Sequence, residues 1–89
     1  AASPSVRLEQ NYPNPFSEKT TISFSLAKEE LVSLDVWDLT GRKITELVKK
    51  ELGPGMHRVD FDASILKPGM YYCRLMAGES TETIKMILE

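Results

Sequence analysis

Asn11-Tyr12-Pro13-Asn14-Pro15-Phe16, and the alternating run Thr21-Ile22-Ser23-Phe24-Ser25-Leu26 that comes after it, decide how this chain folds. Each proline fixes φ and removes a backbone donor, and each biases the residue before it, Tyr12 or Asn14, toward extended backbone. The hexapeptide reads as a stiff elbow, with an aromatic at each end for packing and asparagines able to bond local backbone. In the run beyond it, Ile22, Phe24 and Leu26 alternate with Thr21, Ser23 and Ser25, the period-two pattern of a strand with one buried face. An elbow ahead of such a strand lets the chain leave one sheet and feed the next. It implies no chemistry.

The same period recurs along the chain. Val32, Leu34 and Val36 alternate with Ser33, Asp35 and Trp37; Val59 and Phe61 with Arg58, Asp60 and Asp62. Tyr71, Cys73 and Leu75 alternate with Tyr72, Arg74 and Met76, and Ile84, Met86 and Leu88 with Thr83, Lys85 and Ile87. Arg42 to Lys50 is less regular and is read as a bulged strand that completes a hairpin. Turn residues separate the runs. Asp38-Leu39-Thr40-Gly41 places Asp first and Gly where a left-handed residue closes a bulged hairpin loop. Gly53-Pro54-Gly55 breaks a strand, Ala63 to Leu66 suits a helical turn bridging the two sheets, and Ala77-Gly78-Glu79-Ser80 suits a tight hairpin. Lys67-Pro68-Gly69-Met70 has Pro at i+1 and Gly at i+2, the requirement of a type II turn. About seven short strands at this spacing predict an all-β fold, an antiparallel immunoglobulin-like sandwich. No window carries apolar residues at helical intervals.

The 89 residues suffice for one small domain. The opening residues Ala1 to Arg7 read as the remnant of a linker from an upstream passenger, and residues 8–89 as the domain itself. A net charge of −2 with scattered signs offers no footprint for nucleic acid. No apolar stretch reaches the eighteen or so residues of a membrane-spanning helix.

Candidate chemistry is sparse. Cys73, the single cysteine, can form no intrachain disulfide and shares parity with Tyr71 and Leu75, so it reads as a small buried hydrophobe rather than a reactive thiol. His57, the single histidine, shares parity with Val59 and Phe61 and reads as a packing residue rather than a general base. One Cys and one His cannot furnish a zinc site. Asp60 and Asp62 share an outer face, and Asp35 and Asp38 lie on another strand, but their spacing matches no calcium loop. No catalytic residue, cofactor or metal ligand is assigned. Trp37, Tyr12, Tyr72 and Phe16 are the aromatics available for exposure, and a Trp beside a Tyr can stack on sugar rings. This keeps a second reading open, an accessory sandwich that binds polysaccharide or spaces a secreted enzyme.

Asn11 to Phe16, the Thr-rich strand, Asp38-Leu39-Thr40-Gly41-Arg42, Lys67-Pro68-Gly69-Met70-Tyr71 and the closing Thr83 to Leu88 occur together and in order. In this the chain, from about Leu8 onward, resembles the type A C-terminal sorting domain of proteins exported by the bacterial type IX secretion system. The resemblance implies a noncatalytic signal domain that directs an upstream cargo across the outer membrane. Its partners are then the outer-membrane translocon and a sortase-like peptidase, which typically removes the domain with a cut in or just before Ala1 to Val6. The cargo passes through the periplasm and ends secreted or on the cell surface. It assigns Pro68, Gly69, Tyr71, Lys85, Met86, Ile87 and Leu88 to the signal, and Pro13, Pro15, Asp38, Gly41 and Arg42 to structural turns. Met70 and Cys73 stand where members usually carry β-branched or aromatic residues, and Glu89 is acidic where many end basic. A last strand without downstream cover is further expected to offer a free edge for pairing with a receptor sheet.

Overall fold

The structure, a computed structural model, describes residues 6–89. Seven strands follow in order: β1 (Val6–Leu8), β2 (Lys19–Leu26), β3 (Glu30–Asp38), β4 (Lys43–Leu52), β5 (Gly55–Asp62), β6 (Gly69–Ala77) and β7 (Ser80–Leu88). They form a three-stranded sheet ordered β1-β2-β5 and a four-stranded sheet ordered β4-β3-β6-β7, with antiparallel neighbours throughout. The chain crosses between sheets after β2, β4 and β5. The fold is therefore the all-β antiparallel sandwich that the alternation implies. Val6 and Arg7, inside the stretch expected to be linker, are paired with Leu26 and Ser25 in β1; Ala1 to Ser5 lie outside the described residues.

Side-chain parity builds the core. Ile22, Phe24 and Leu26 of one sheet meet Val32, Leu34, Val36, Tyr71, Cys73, Leu75, Met86 and Leu88 of the other, all buried. Alternation puts every second residue of each strand into the space between the sheets, where apolar area leaves water. β4 departs from simple alternation because its pairing with β3 slips between Leu34 and Asp35 and again between Val36 and Trp37. Ile44, Leu47, Val48 and Leu52 still pack against the core from that strand.

The β3–β4 turn is built as its residues suggest. Gly41 has φ +86, and its N–H donates to the Asp38 carbonyl at 3.2 Å, while Asp38 N–H donates to the Arg42 carbonyl at 3.0 Å. The Asp38 carboxylate accepts from Thr40 Oγ1 at 2.6 Å and from the backbone N–H groups of Thr40 and Arg42. These bonds, led by the Thr40 hydroxyl, hold the Asp38 carboxyl below the ordinary range. A lowered folded-state pKa contributes stability above the unfolded value near pH 4, and that stability is lost as pH falls through the folded value. The urea midpoint of Asp38→Asn is therefore expected to lie below that of the parent at pH 7. The gap should narrow on descending from about pH 4; a gap that stays constant down to acid pH would contradict this role.

Gly78 and Glu79 form the two-residue loop between paired Ala77 and Ser80. Positive φ at Gly78 alone, +59, is the pattern of a type II′ hairpin turn. Lys67 to Met70 behaves differently from the type II expectation. Gly69 has φ +151, and the Lys67 carbonyl accepts from the Tyr71 hydroxyl at 2.6 Å rather than from the Met70 N–H. A side chain thus does the work of a turn hydrogen bond, and the backbone opens into a bend. A Cβ on Gly69 meets nothing within 4 Å, so the only obstacle to Gly69→Ala is the backbone conformation. We expect Gly69→Ala to lose about 1 kcal/mol in denaturant unfolding; an unchanged midpoint would show that the bend tolerates a side chain.

Candidate recognition surface along the last strand

The elbow is locked from inside. Asn11 is buried, and its Nδ2 donates to Thr20 Oγ1 at 2.9 Å and to the Pro13 carbonyl at 3.2 Å. Thr20 Oγ1 donates to that same carbonyl at 2.8 Å. Both X-Pro bonds, Tyr12-Pro13 and Asn14-Pro15, are cis. Tyr12 exchanges backbone hydrogen bonds with Thr21 of β2, and the residue is 81% exposed. Phe16, at the other end, is 1% exposed and packs against the ring of Phe61 with centroids 6.3 Å apart. Of the two aromatics framing the elbow, only Phe16 packs.

This elbow reaches the opposite sheet. Phe16 bridges to Leu88, its N–H donating to the Ile87 carbonyl at 3.0 Å and its carbonyl accepting from Glu89 N–H at 2.8 Å. Asn14 Oδ1 accepts from Ile87 N–H at 2.9 Å, and Gln10 Nε2 donates to the Lys85 carbonyl at 2.7 Å. Further up, Leu8 N–H donates to the Glu82 carboxylate. The expectation of an uncovered last strand is thus corrected: β7 has its outer edge occupied from Lys85 to Glu89 by residues 10–16. The cause is the elbow itself, which swings the chain out of the β1-β2-β5 sheet to seat Phe16 and then returns it to β2.

Side chains of β7 divide by parity. Met86 and Leu88 are in the core at 0% and 3% exposure, while Lys85 and Ile87 point outward. Tyr71 is buried, its hydroxyl engaged as above, and Pro68 and Gly69 are exposed in the bend. Pro13 and Pro15 stand in the elbow, and Arg42 closes the β3–β4 turn. Of the residues assigned to the signal, those accessible in the folded domain are Pro68, Gly69, Lys85 and Ile87. They gather at one end of the sandwich, because Gly69 pairs with Leu88 and Met70 with Ile87.

Residues 10–89, from the elbow through β7, match the family model described as a secretion system C-terminal sorting domain. The chain belongs to that family. It is a C-terminal sorting signal for type IX secretion. No curated protein matches it.

The remaining candidates in this sorting domain lie elsewhere in the fold. His57 stacks on Phe24 with centroids 5.4 Å apart, and its Nε2–H donates to the Gly53 carbonyl at 2.8 Å. Cys73 is fully buried, and burial, followed by the charge of Asp35, pushes its thiol up to about 12. Asp60 accepts from Thr21 Oγ1, Asp62 from Ser64 N–H, and Asp35 lies beside Lys43. Among the described residues no three His, Cys, Asp or Glu side chains converge as metal ligands, and no helix is long and apolar enough to cross a membrane. The role of Asn14 escapes sequence reading, since its partner Ile87 stands 73 residues away.

Proposed function

We propose that this sorting domain is read as a folded address by the type IX outer-membrane translocon, through the end of the sandwich where Lys85, Ile87, Pro68 and the elbow meet. The domain performs no catalysis of its own. It travels through the periplasm attached to an upstream passenger, and a sortase-like peptidase then cuts upstream of Val6, whose burial in β1 removes it from a protease's reach. Cargo is thereby released or attached at the cell surface. The family match over residues 10–89 carries this reading, and the occupied edge of β7 favours recognition of side chains and bend over strand pairing at Ile87. The test is a reporter fused ahead of the 89-residue chain in a host with type IX machinery. Removal of Ile84 to Glu89 is expected to leave the reporter in the periplasm. Undiminished export of the trimmed fusion overturns the proposal.

A further inference from the structure

We propose that the outer face of the β4-β3-β6-β7 sheet carries a binding site for an acidic oligosaccharide, a run of sugar rings bearing carboxylates, centred on Trp37, Tyr72 and Arg74. Register places these residues. Trp37 is opposite Tyr72, which is opposite Lys85; Asp35 is opposite Arg74, which is opposite Thr83. Trp37, Asp38, Leu39, Tyr72, Arg74 and Thr83 are among the residues that line an open groove of about 360 Å³ across three strands. The Arg74 guanidinium carbon lies 4.6 Å from the centroid of the Trp37 ring.

Two observations point to a ligand and to its charge. Trp37 Nε1 and Arg74 Nε are the buried side-chain donors without an acceptor among the described residues, and both belong to this one stacked pair. An unmatched buried donor costs about 1–3 kcal/mol; both atoms are covered in the unliganded domain, so a ligand's acceptor reaches them only when the Arg74 side chain shifts on the Trp37 ring. Of the acids nearby, Asp35 faces Lys43 at 3.6 Å, while Asp38 lines the groove, accepts from neutral donors of its own turn and keeps its negative charge, so a ligand carboxylate must sit toward Arg74 and Lys85 and away from Asp38. Lys43 is shared between Asp35 and Glu46. Arg74 and Lys85 take part in no ion pair among the described residues. They lie on a diagonal between neighbouring strands, about 7–8 Å apart at the backbone.

The geometry favours sugar over peptide. β3 and β6 each lie between two hydrogen-bonded neighbours, so this face has no backbone groups with which an extended peptide could pair. Aromatic rings beside a Thr hydroxyl and two free cations suit rings that bring their own hydroxyls and carboxylates.

Trp37 is the single tryptophan, so intrinsic fluorescence of the intact chain reports occupancy directly. Titration with oligogalacturonate should give a saturable change that weakens with added salt. The neutral galactose oligomer should bind at least about tenfold more weakly, as should the parent's uronate ligand to Arg74→Gln. Lys85→Gln alters an exposed side chain and should weaken uronate binding severalfold with folding intact. No saturable change, equal binding of the neutral oligomer, or equal binding of polyglutamate overturns the proposal. Should Arg74→Gln unfold by circular dichroism, Lys85→Gln decides, and unchanged uronate affinity in it overturns the site. None of these readouts depends on export.

Discussion

Phe16→Ala is expected to lower the free energy of unfolding by about 3–5 kcal/mol, the range for a fully buried Phe cut to Ala. Small domains hold about 5–15 kcal/mol in all, so the variant sits near the threshold of folding. The cost has two sources. The ring is part of the core and packs against Phe61, and its removal leaves a cavity there. The ring also anchors the segment whose backbone and Asn14 side chain occupy both hydrogen-bonding groups of Ile87 and the N–H of Glu89. Amide exchange at Ile87 and Glu89 should therefore accelerate in Phe16→Ala more than at Cys73, in the middle of β6. Tyr12→Ala, at the exposed end of the same elbow, should stay within about 0.5 kcal/mol of the parent. A loss below about 1 kcal/mol for Phe16→Ala would show that the elbow only rests on β7.

The contrast between those two aromatics marks where the sequence stops being legible. Period two assigns an inward face to β2, β3, β5, β6 and β7 without reference to any partner, because alternation is a local property of an extended chain. Asp38 and Gly41 are equally readable, since their turn is closed by residues at most four apart. β1 is not, because three residues, Val6 to Leu8, are too few to display a period. Nothing local distinguishes Tyr12 from Phe16 either: the difference is made by Leu88 and Phe61, far along the chain. The same holds for the bend at Pro68-Gly69, where the Tyr71 hydroxyl supplies the bond that a type II turn takes from its own backbone. Arg74 is drawn onto Trp37 by the β3–β6 register, which no reading of either strand alone contains. Local chemistry specified the layers; the surface that a partner meets is made by long-range pairing of the elbow with β7 and of β3 with β6.

Adjacent substitutions in β7 should separate folding from recognition. Met86 is fully buried between the sheets, and Met86→Ala is expected to cost about 2–5 kcal/mol. Ile87 next to it is 40% exposed, and its backbone bonds to Phe16 and Asn14 do not involve its side chain. Ile87→Lys should leave the unfolding midpoint within about 0.5 kcal/mol of the parent. Export of a fused reporter should respond in the opposite sense. If the translocon reads the outer side of β7, Ile87→Lys abolishes export from a fully folded domain, because a charge is forced into the contact. Met86→Ala then loses export only in proportion to its unfolded fraction, and lowering the temperature restores it. Full export by folded Ile87→Lys would exclude this side of the strand from the signal. Export by an unfolded Met86→Ala would show instead that the machinery reads an extended peptide, and that the sandwich serves only to carry it.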